Sequence, residues 1–462
     1  MKKNWFLFLS FIKKPENVFI SLSLFFGVLS AVLVPQLSVS DENMHYLRAY
    51  GISQGRVESG SRCTLPKDVA KRAGSVYEGN FSADYSKPID RNILDVDKCS
   101  SASGYPPIMH LPQAVGINIA NIFGGSTGLT ILFGRLANLI FYSFALYFII
   151  KWVRVGKWVF VVIGLIPLMV HMAASLSSDC VTNVAVFVIT ALTLNLFTQK
   201  NALSNKQIAA LVCTGILLTL TKSINALLLF PLIFLPKHLF AANKNKNIPF
   251  NIQKWAILIM IGVAAIISLL IWQKIFGQPL LTTGTTHNPL HSNPLKFIQI
   301  LFNTYMNPTI GYTDIVLRGS VGDFSSFKYH LPLFVLIPLF SLLSLSLLHY
   351  NKKDQELLGE HTGKLAAYNL ATIGLFVCAV SYAMYTAWAL LPFRFGEGAY
   401  YADGVQGRYF TATAVMLVPV GLWLQKYINI RTKDEKVFNL IMFFGLALIL
   451  SFYIFETVWK FK

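Results

Sequence analysis

The sequence predicts an all-α polytopic membrane protein of about eleven transmembrane helices, with one re-entrant or interfacial segment and long extracytoplasmic loops. Three observations predict it. Of the 462 residues, 54% are hydrophobic and only 13% charged, about half the charged share of a soluble domain. The apolar residues gather into runs of roughly 17 to 25, long enough to cross a hydrocarbon core of about 30 Å as helices. The 39 Lys and Arg fall mostly between those runs. They form no basic stripe, so the net charge of +18 fits positive-inside loops and gives no support for a nucleic-acid partner.

The chain begins Met1-Lys2-Lys3 and continues apolar from Trp5 to Ile12. This resembles a signal-peptide core without a small-residue cleavage site, and is read as retained. Eleven apolar runs follow, near Val18 to Leu37, Gly128 to Ile150, Trp158 to Ser175, Val181 to Phe197, Ile208 to Leu220, Ile224 to Phe240, Trp255 to Phe276, Leu331 to His349, Leu365 to Leu391, Phe410 to Leu424 and Val437 to Trp459. Only a tight turn at Lys222 separates the fifth from the sixth. A further apolar stretch, Ile108 to Phe123, breaks the alternation if it spans. Its Pro112 and Gln113, with Pro106 and Pro107 just before it, favour a re-entrant or interfacial segment.

Basic residues orient these runs. Segments holding Lys13 and Lys14, Lys151 to Lys157, Lys200 to Lys206, Lys237 to Lys254, Lys352 and Lys353, and Lys426 to Lys436 are expected in the cytoplasm. The N-terminus is then cytoplasmic and the C-terminus extracytoplasmic. Three outer segments are long enough to fold over the membrane: 38–107, 277–329 and 392–408. The first carries nine acidic and nine basic residues, the balance of a structured polar loop. No repeat or soluble domain interrupts the chain, so 1–462 reads as one membrane unit. Cys180, Cys213 and Cys378 fall in apolar segments as small core residues. Cys63 and Cys99 share the first outer loop, where a disulfide is chemically open to them.

The candidate chemistry lies at the outer ends of the helices. Asp41-Glu42-Asn43-Met44-His45-Tyr46-Leu47-Arg48 starts where the first membrane helix reaches the surface. If this segment is helical, Asp41, His45 and Arg48 share one face. Ser40 or Asp41 would also serve as an N-cap. A carboxylate here could take a proton from an acceptor hydroxyl, with His45 or Arg48 holding a phosphate or tuning it. Asp179 lies in a connection, Ser175 to Asp179, that has no basic residue. Lys222 is the single charge between two apolar runs, a position that usually faces a cavity or an anion. Arg135, inside an apolar helix, invites the same reading unless it snorkels. Arg408 opposes the positive-inside trend at an outer helix end, within Gly404-Val405-Gln406-Gly407-Arg408-Tyr409. It could hold a phosphate bidentately while the glycines admit a ligand close to the backbone. His110, His287, His291 and His330 lack metal-ligand spacing.

These motifs carry a resemblance. Lys14-Pro15-Glu16, a membrane helix, then Asp41-Glu42-x-x-His45-x-x-Arg48-Ala49-Tyr50 resembles the opening of a bacterial membrane-protein family known as domain of unknown function 2142 (DUF2142). Ser178-Asp179 with Asn183, Thr221-Lys222, and Gly404 through Phe410 follow in order. One departure is Asn43, where the family usually has Pro. The resemblance implies a relation to the GT-C class of glycosyltransferases, which take sugars from polyprenyl-phosphate carriers outside the cytoplasmic membrane of bacteria. In that class the catalytic acid commonly lies in the first external loop, the position of Asp41 and Glu42 here.

The expected function is therefore an inverting transferase that passes a polyprenyl-phosphate-linked sugar to a cell-envelope glycan, such as an O-antigen or teichoic acid. Asp41 would be the base. Glu42 would assist it or bind a divalent cation, Mg or Mn, a requirement the sequence leaves open. His45, Arg48, Asp179, Lys222, Gln406, Arg408 and Tyr409 would bind substrate. A glycan polymerase or ligase is the first rival. A lipid-linked glycan transporter is the second, although transporters keep charged residues near the midplane and here they sit at helix ends.

Overall fold

The computed structural model describes residues 2–56, 64–96, 101–240, 250–276, 288–307, 318–319, 321–322, 331–391, 394–428, 430–432 and 434–460. Cys63, Cys99, His287, His330 and most of the expected second outer loop lie outside these residues. Among the described residues the chain is helical, apart from one small antiparallel sheet that pairs Thr64–Pro66 with Leu94–Val96.

Six helices among the described residues are long and apolar enough to cross a membrane: Pro15–Leu33, Thr127–Trp152, Asp179–Phe197, Ile252–Lys274, His361–Ala389 and Glu435–Lys460. Four more apolar runs form shorter helices, Asn205–Thr221, Ser223–Phe234, Leu333–Leu348 and Arg408–Leu424. The expected span from Trp158 to Ser175 is instead two helices, Lys157–Gly164 and Pro167–Ala173. Pro167 separates them, because it supplies no backbone N–H and its ring would clash inside a continuous helix. Asp179–Phe197 is the centre of the molecule, with 94% of its apolar window buried, against 17% for Ile252–Lys274 and 33% for His361–Ala389. Apolar on every side, the first is surrounded by protein, and the other two offer the most surface to lipid.

Ile108 to Phe123 does not form a span. A 3-10 turn at Pro107–His110 leads into a helix, Leu111–Ile122, of 12 residues, roughly 18 Å long and too short for the hydrocarbon core. It packs against Thr127–Trp152 so closely that a Cβ on Gly116 would collide with the Phe133 carbonyl. Among the described residues of the expected first outer loop, helices Glu42–Ser53 and Lys67–Gly74 lie beside the small sheet.

The polar groups of this apolar body collect at two ends. Asp179 opens the central helix, and Asn195, 16 residues on, accepts a hydrogen bond from the Arg154 N–H at 2.9 Å. At ~1.5 Å per residue the two positions are about 24 Å apart. Around Arg154, several of the basic segments expected on one side meet, with Lys13, Lys157 and Lys353 lining a common cavity of about 240 Å³ with Asp354 and Glu435. Asp41, Lys222 and Arg408 gather around Asp179.

Candidate functional site

The site is built on a buried ion pair that the sequence places in two distant segments. Arg135, fully buried in Thr127–Trp152, uses all five of its N–H groups. Nε donates to Glu42 Oε1 at 2.8 Å and Nη2 to Oε2 at 2.6 Å. The other donors satisfy the carbonyls of Ala31, Val34 and Pro35 at the end of Pro15–Leu33, which a helix terminus leaves open. Glu42 Oε1 also accepts from the Leu176 N–H at 3.0 Å. Asn138 and Gln113 donate to the carbonyls of Ser175 and Ser177 at 2.8 and 3.0 Å. The end of the first span, the Asp41 segment and the connection before Asp179 are thus tied to one another.

This arrangement corrects three expectations. Glu42 is not presented to a substrate: it has no exposure and its oxygens are engaged. Nor can Glu42 and Asp41 share a divalent cation, since Asp41 directs its carboxylate to Arg408. Among the described residues no group of three or more His, Cys, Asp or Glu side chains is arranged to hold a metal ion. Arg135 neither snorkels nor faces a ligand. The connection from Ser175 to Asp179 is buried throughout.

Asp41 stands at the N-cap of Glu42–Ser53, but its side chain makes no capping bond. Its backbone is left-handed, with φ 61°, a conformation costing a non-glycine residue roughly 1–2 kcal/mol. Asp41 Oδ2 accepts a hydrogen bond from Arg408 Nη2 at 2.6 Å. Arg408 Nε lies 3.6 Å from Asp179 Oδ2, and Lys222 Nζ donates to Asp179 Oδ1 at 2.8 Å. Lys222 can reach Asp179 because it breaks out of Asn205–Thr221 in an extended conformation before Ser223–Phe234 begins. The Tyr409 ring lies beneath both cations, 4.6 Å from Lys222 Nζ and 5.7 Å from the Arg408 guanidinium. Two carboxylates and two cations are thus brought together from four segments. Asp41 alone is largely open, its side chain 58% exposed against 11% for Arg408 and 12% for Asp179.

A cavity of about 730 Å³ extends from this cluster. At its polar end stand Asp179, Lys222, Arg408, Tyr409, Tyr105 and Thr182. Its remaining wall is largely apolar, with Leu269 and Trp272 from Ile252–Lys274 and Leu375, Phe376 and Ala379 from His361–Ala389. These are the two least buried spans, so the apolar trough lies beside the surface most available to lipid. Within the cluster, Arg408 Nε and Nη1 and the Thr182 hydroxyl are buried without a hydrogen-bond partner. Unsatisfied donors of this kind mark a place where a polar ligand or water completes the network.

Asp41, His45, Arg48 and Gln406 do not line the cavity, and Asp41 meets its polar end only through its bond to Arg408. His45 Nδ1 and His110 Nε2 are 3.0 Å apart. Arg48 donates to the Tyr105 carbonyl at 3.1 Å, and Trp272 Nε1 to the Gly104 carbonyl at 3.2 Å, so both fasten the strap that carries Tyr105 to the cavity wall. Gln406 contributes its carbonyl to the turn before Arg408, accepting from the Tyr409 N–H at 3.1 Å. Of the neighbouring glycines, Gly404 serves packing. Gly404 has φ 86° and a Cβ there would strike the Trp388 ring, while Gly407 has φ −58°. Of the cysteines, Cys180 is buried behind Asp179 and Cys378 lies on the cavity wall.

Burial lowers the pKa of His45 from 6.5 to about 4, although Asp179 and Asp41 pull it upward; His110 is also held well below 6.5 by burial. Both imidazoles are therefore neutral at pH 7. The unfolded chain binds a proton at His45 that the folded protein refuses, so stability is complete above about pH 6.5 and declines as the pH falls toward 4. The difference corresponds to roughly 3 kcal/mol. Thermal unfolding of the detergent-solubilised protein at pH 7.5 and 4.5 should show this loss, and His45→Gln should flatten the dependence.

Tyr105, Thr182 and Trp272 were not distinguishable in the sequence as contributors. Tyr105 and Trp272 could have been suspected only as aromatic residues near expected helix ends. No curated protein and no solved structure matches the chain. Residues 24–417 match the family described as predicted membrane protein (DUF2142). With most of the apolar helices and the motifs at Asp41, Asp179, Lys222 and Arg408 falling inside the matched region, this multi-pass membrane protein belongs to the DUF2142 family.

Proposed function

We propose that the protein is a GT-C-like membrane glycosyltransferase that moves a sugar from a polyprenyl-phosphate donor to a cell-envelope glycan, such as an O-antigen or teichoic acid. The observation that carries this reading is the cavity's division into an apolar trough and a charged end where Arg408 keeps unpartnered donors beside Lys222. A ligand with a long hydrocarbon tail and a phosphate head matches both halves at once. The tail would lie between Ile252–Lys274 and His361–Ala389, the phosphate against Lys222 and Arg408, and the sugar toward Asp41.

The chemistry follows from these positions. The Asp41 carboxylate accepts the proton of an acceptor hydroxyl, whose oxygen attacks the anomeric carbon as the bond from that carbon to the phosphate oxygen breaks. The electron pair leaves with the phosphate, and Lys222 and Arg408 offset the charge that develops there. Attack opposite the leaving group inverts the anomeric centre. Asp179, held by Lys222, keeps the cations in place and is the weaker candidate for the base.

We place the site on the outer face of the bacterial cytoplasmic membrane, with the N-terminus inside, the C-terminus outside and eleven crossings. The gathering of Lys13, Arg154, Lys157 and Lys353 around one cavity, at the opposite end of the central helix from Asp179, supports that orientation. Mass spectrometry of envelope glycans from wild-type and gene-deleted cells tests the function. Loss of one sugar from the repeat is expected. Complete repeats left unpolymerised would favour a polymerase or ligase, and an unchanged glycan would end the proposal.

A further inference from the structure

Arg408 is shared in a way that bears on the order of events. Nη2 is occupied by Asp41 at 2.6 Å, while Nε and Nη1 are buried without a hydrogen-bond partner. A guanidinium grips an oxyanion through two parallel N–H groups. Both of its edges that can do so, Nε with Nη2 and Nη1 with Nη2, include the nitrogen that Asp41 occupies. A phosphate gripped on either edge would stand roughly 5 Å or less from the Asp41 carboxylate, where like charges repel strongly in a partly desolvated cleft.

The two carboxylates on Arg408 differ in how readily they can leave. Asp179 is 12% exposed and is also held by Lys222 at 2.8 Å. Asp41 is 58% exposed and, among the described residues, pairs with Arg408 alone. The left-handed backbone at Asp41 and at Leu37, φ 61° and 66°, sets the chain's direction between the first span and Glu42–Ser53. Arg135 and Glu42 fix both sides of this segment. A rotation of the Asp41 side chain into solvent therefore needs no movement of the backbone.

We propose that the ligand phosphate displaces Asp41 from Arg408, so that binding the lipid phosphate is what frees the carboxylate to accept the acceptor's proton. This rests on the glycosyltransferase reading. Before the donor arrives, Asp41 is neutralised by the arginine. Once the phosphate takes Arg408, the carboxylate is free beside the sugar and the acceptor binds second.

The test is a titration of the full-length protein in nanodiscs with dodecyl phosphate, with inorganic phosphate as a parallel arm. Asp41→Ala should bind dodecyl phosphate about three- to tenfold more tightly than wild type, the size expected for removing a competing partly exposed ion pair. Asp41→Asn, which tolerates the left-handed backbone, should move in the same direction and serves if the alanine variant folds poorly. Inorganic phosphate should show the same tightening at lower affinity, because the competition is at the head group and the trough adds affinity for the tail. In an Arg408→Gln background the effect of Asp41→Ala should vanish. If Arg408→Gln abolishes binding outright, the comparison of Asp41 variants with wild type decides. Equal or weaker binding by both Asp41 variants overturns the inference, as does an undiminished effect without Arg408. Failure of the wild type to bind dodecyl phosphate would instead overturn the donor reading beneath it.

Discussion

Asp41→Asn is expected to lower sugar transfer by about 10²- to 10⁴-fold, the range for losing a general base, while leaving the protein folded. The choice of Asn isolates the chemistry. Asn tolerates the left-handed region almost as well as Asp, so the backbone at φ 61° is retained. Its amide oxygen can still accept from Arg408 Nη2, so the cluster keeps its shape. What is lost is the negative charge and the capacity to take a proton at neutral pH. Because Asp41 provides no capping bond to Glu42–Ser53, the substitution removes no helix cap. In cells the glycan should lose the same sugar as in the deletion, and purified protein should release polyprenyl phosphate slowly. Transfer within about twofold of wild type would remove Asp41 from the role of base and leave Asp179 as the carboxylate to examine.

Arg135→Met should destabilise the folded protein by about 3–5 kcal/mol, the cost of leaving a buried charge without its partner. The local geometry places the effect toward the upper part of that range. Glu42 has no route to solvent, and the carbonyls of Ala31 and Val34 would lose the guanidinium as well. Replacing both partners by apolar residues often restores stability at a buried pair. Here Glu42→Leu with Arg135→Met should recover only part of it, because the Ala31 and Val34 carbonyls would lose the guanidinium and the Leu176 N–H would lose Glu42, while the Pro35 carbonyl keeps Ser38 as a donor. Thermal unfolding in detergent measures both variants. A single substitution that shifts stability by less than about 1 kcal/mol would contradict the assignment of Arg135 as the fastening point of the site.

The two expected results bear on adjacent residues whose types alone do not separate them. Asp41 and Glu42 are both acidic, both at the same helix end, and both plausible as bases from sequence. Side-chain direction decides between them. A one-residue step along the helix start turns Glu42 inward to Arg135 and leaves Asp41 facing Arg408 and water. Likewise Asp41, His45 and Arg48 follow the helical spacing read from the sequence, yet only Asp41 joins the charged cluster. His45 meets His110 and Arg48 meets the Tyr105 carbonyl. Their partners lie 65 and 57 residues away, beyond the reach of any local pattern.

The sequence by itself determined the class of the protein and the set of residues worth watching. Hydrocarbon tolerates charge so poorly that long apolar runs and the confinement of Lys and Arg to their ends are local properties, legible without a fold. Asp179, Lys222 and Arg408 stood out for the same reason, as charges where charges are costly. Tertiary structure alone decided which of them meet, that Arg135 is a structural hub, and that an apolar trough runs from the charged cluster to the lipid-facing spans. Those outcomes depend on packing between segments more than 40 residues apart, as in the pairing of Lys222 with Asp179 across 43 positions. Spacing along the chain carries no record of such distances.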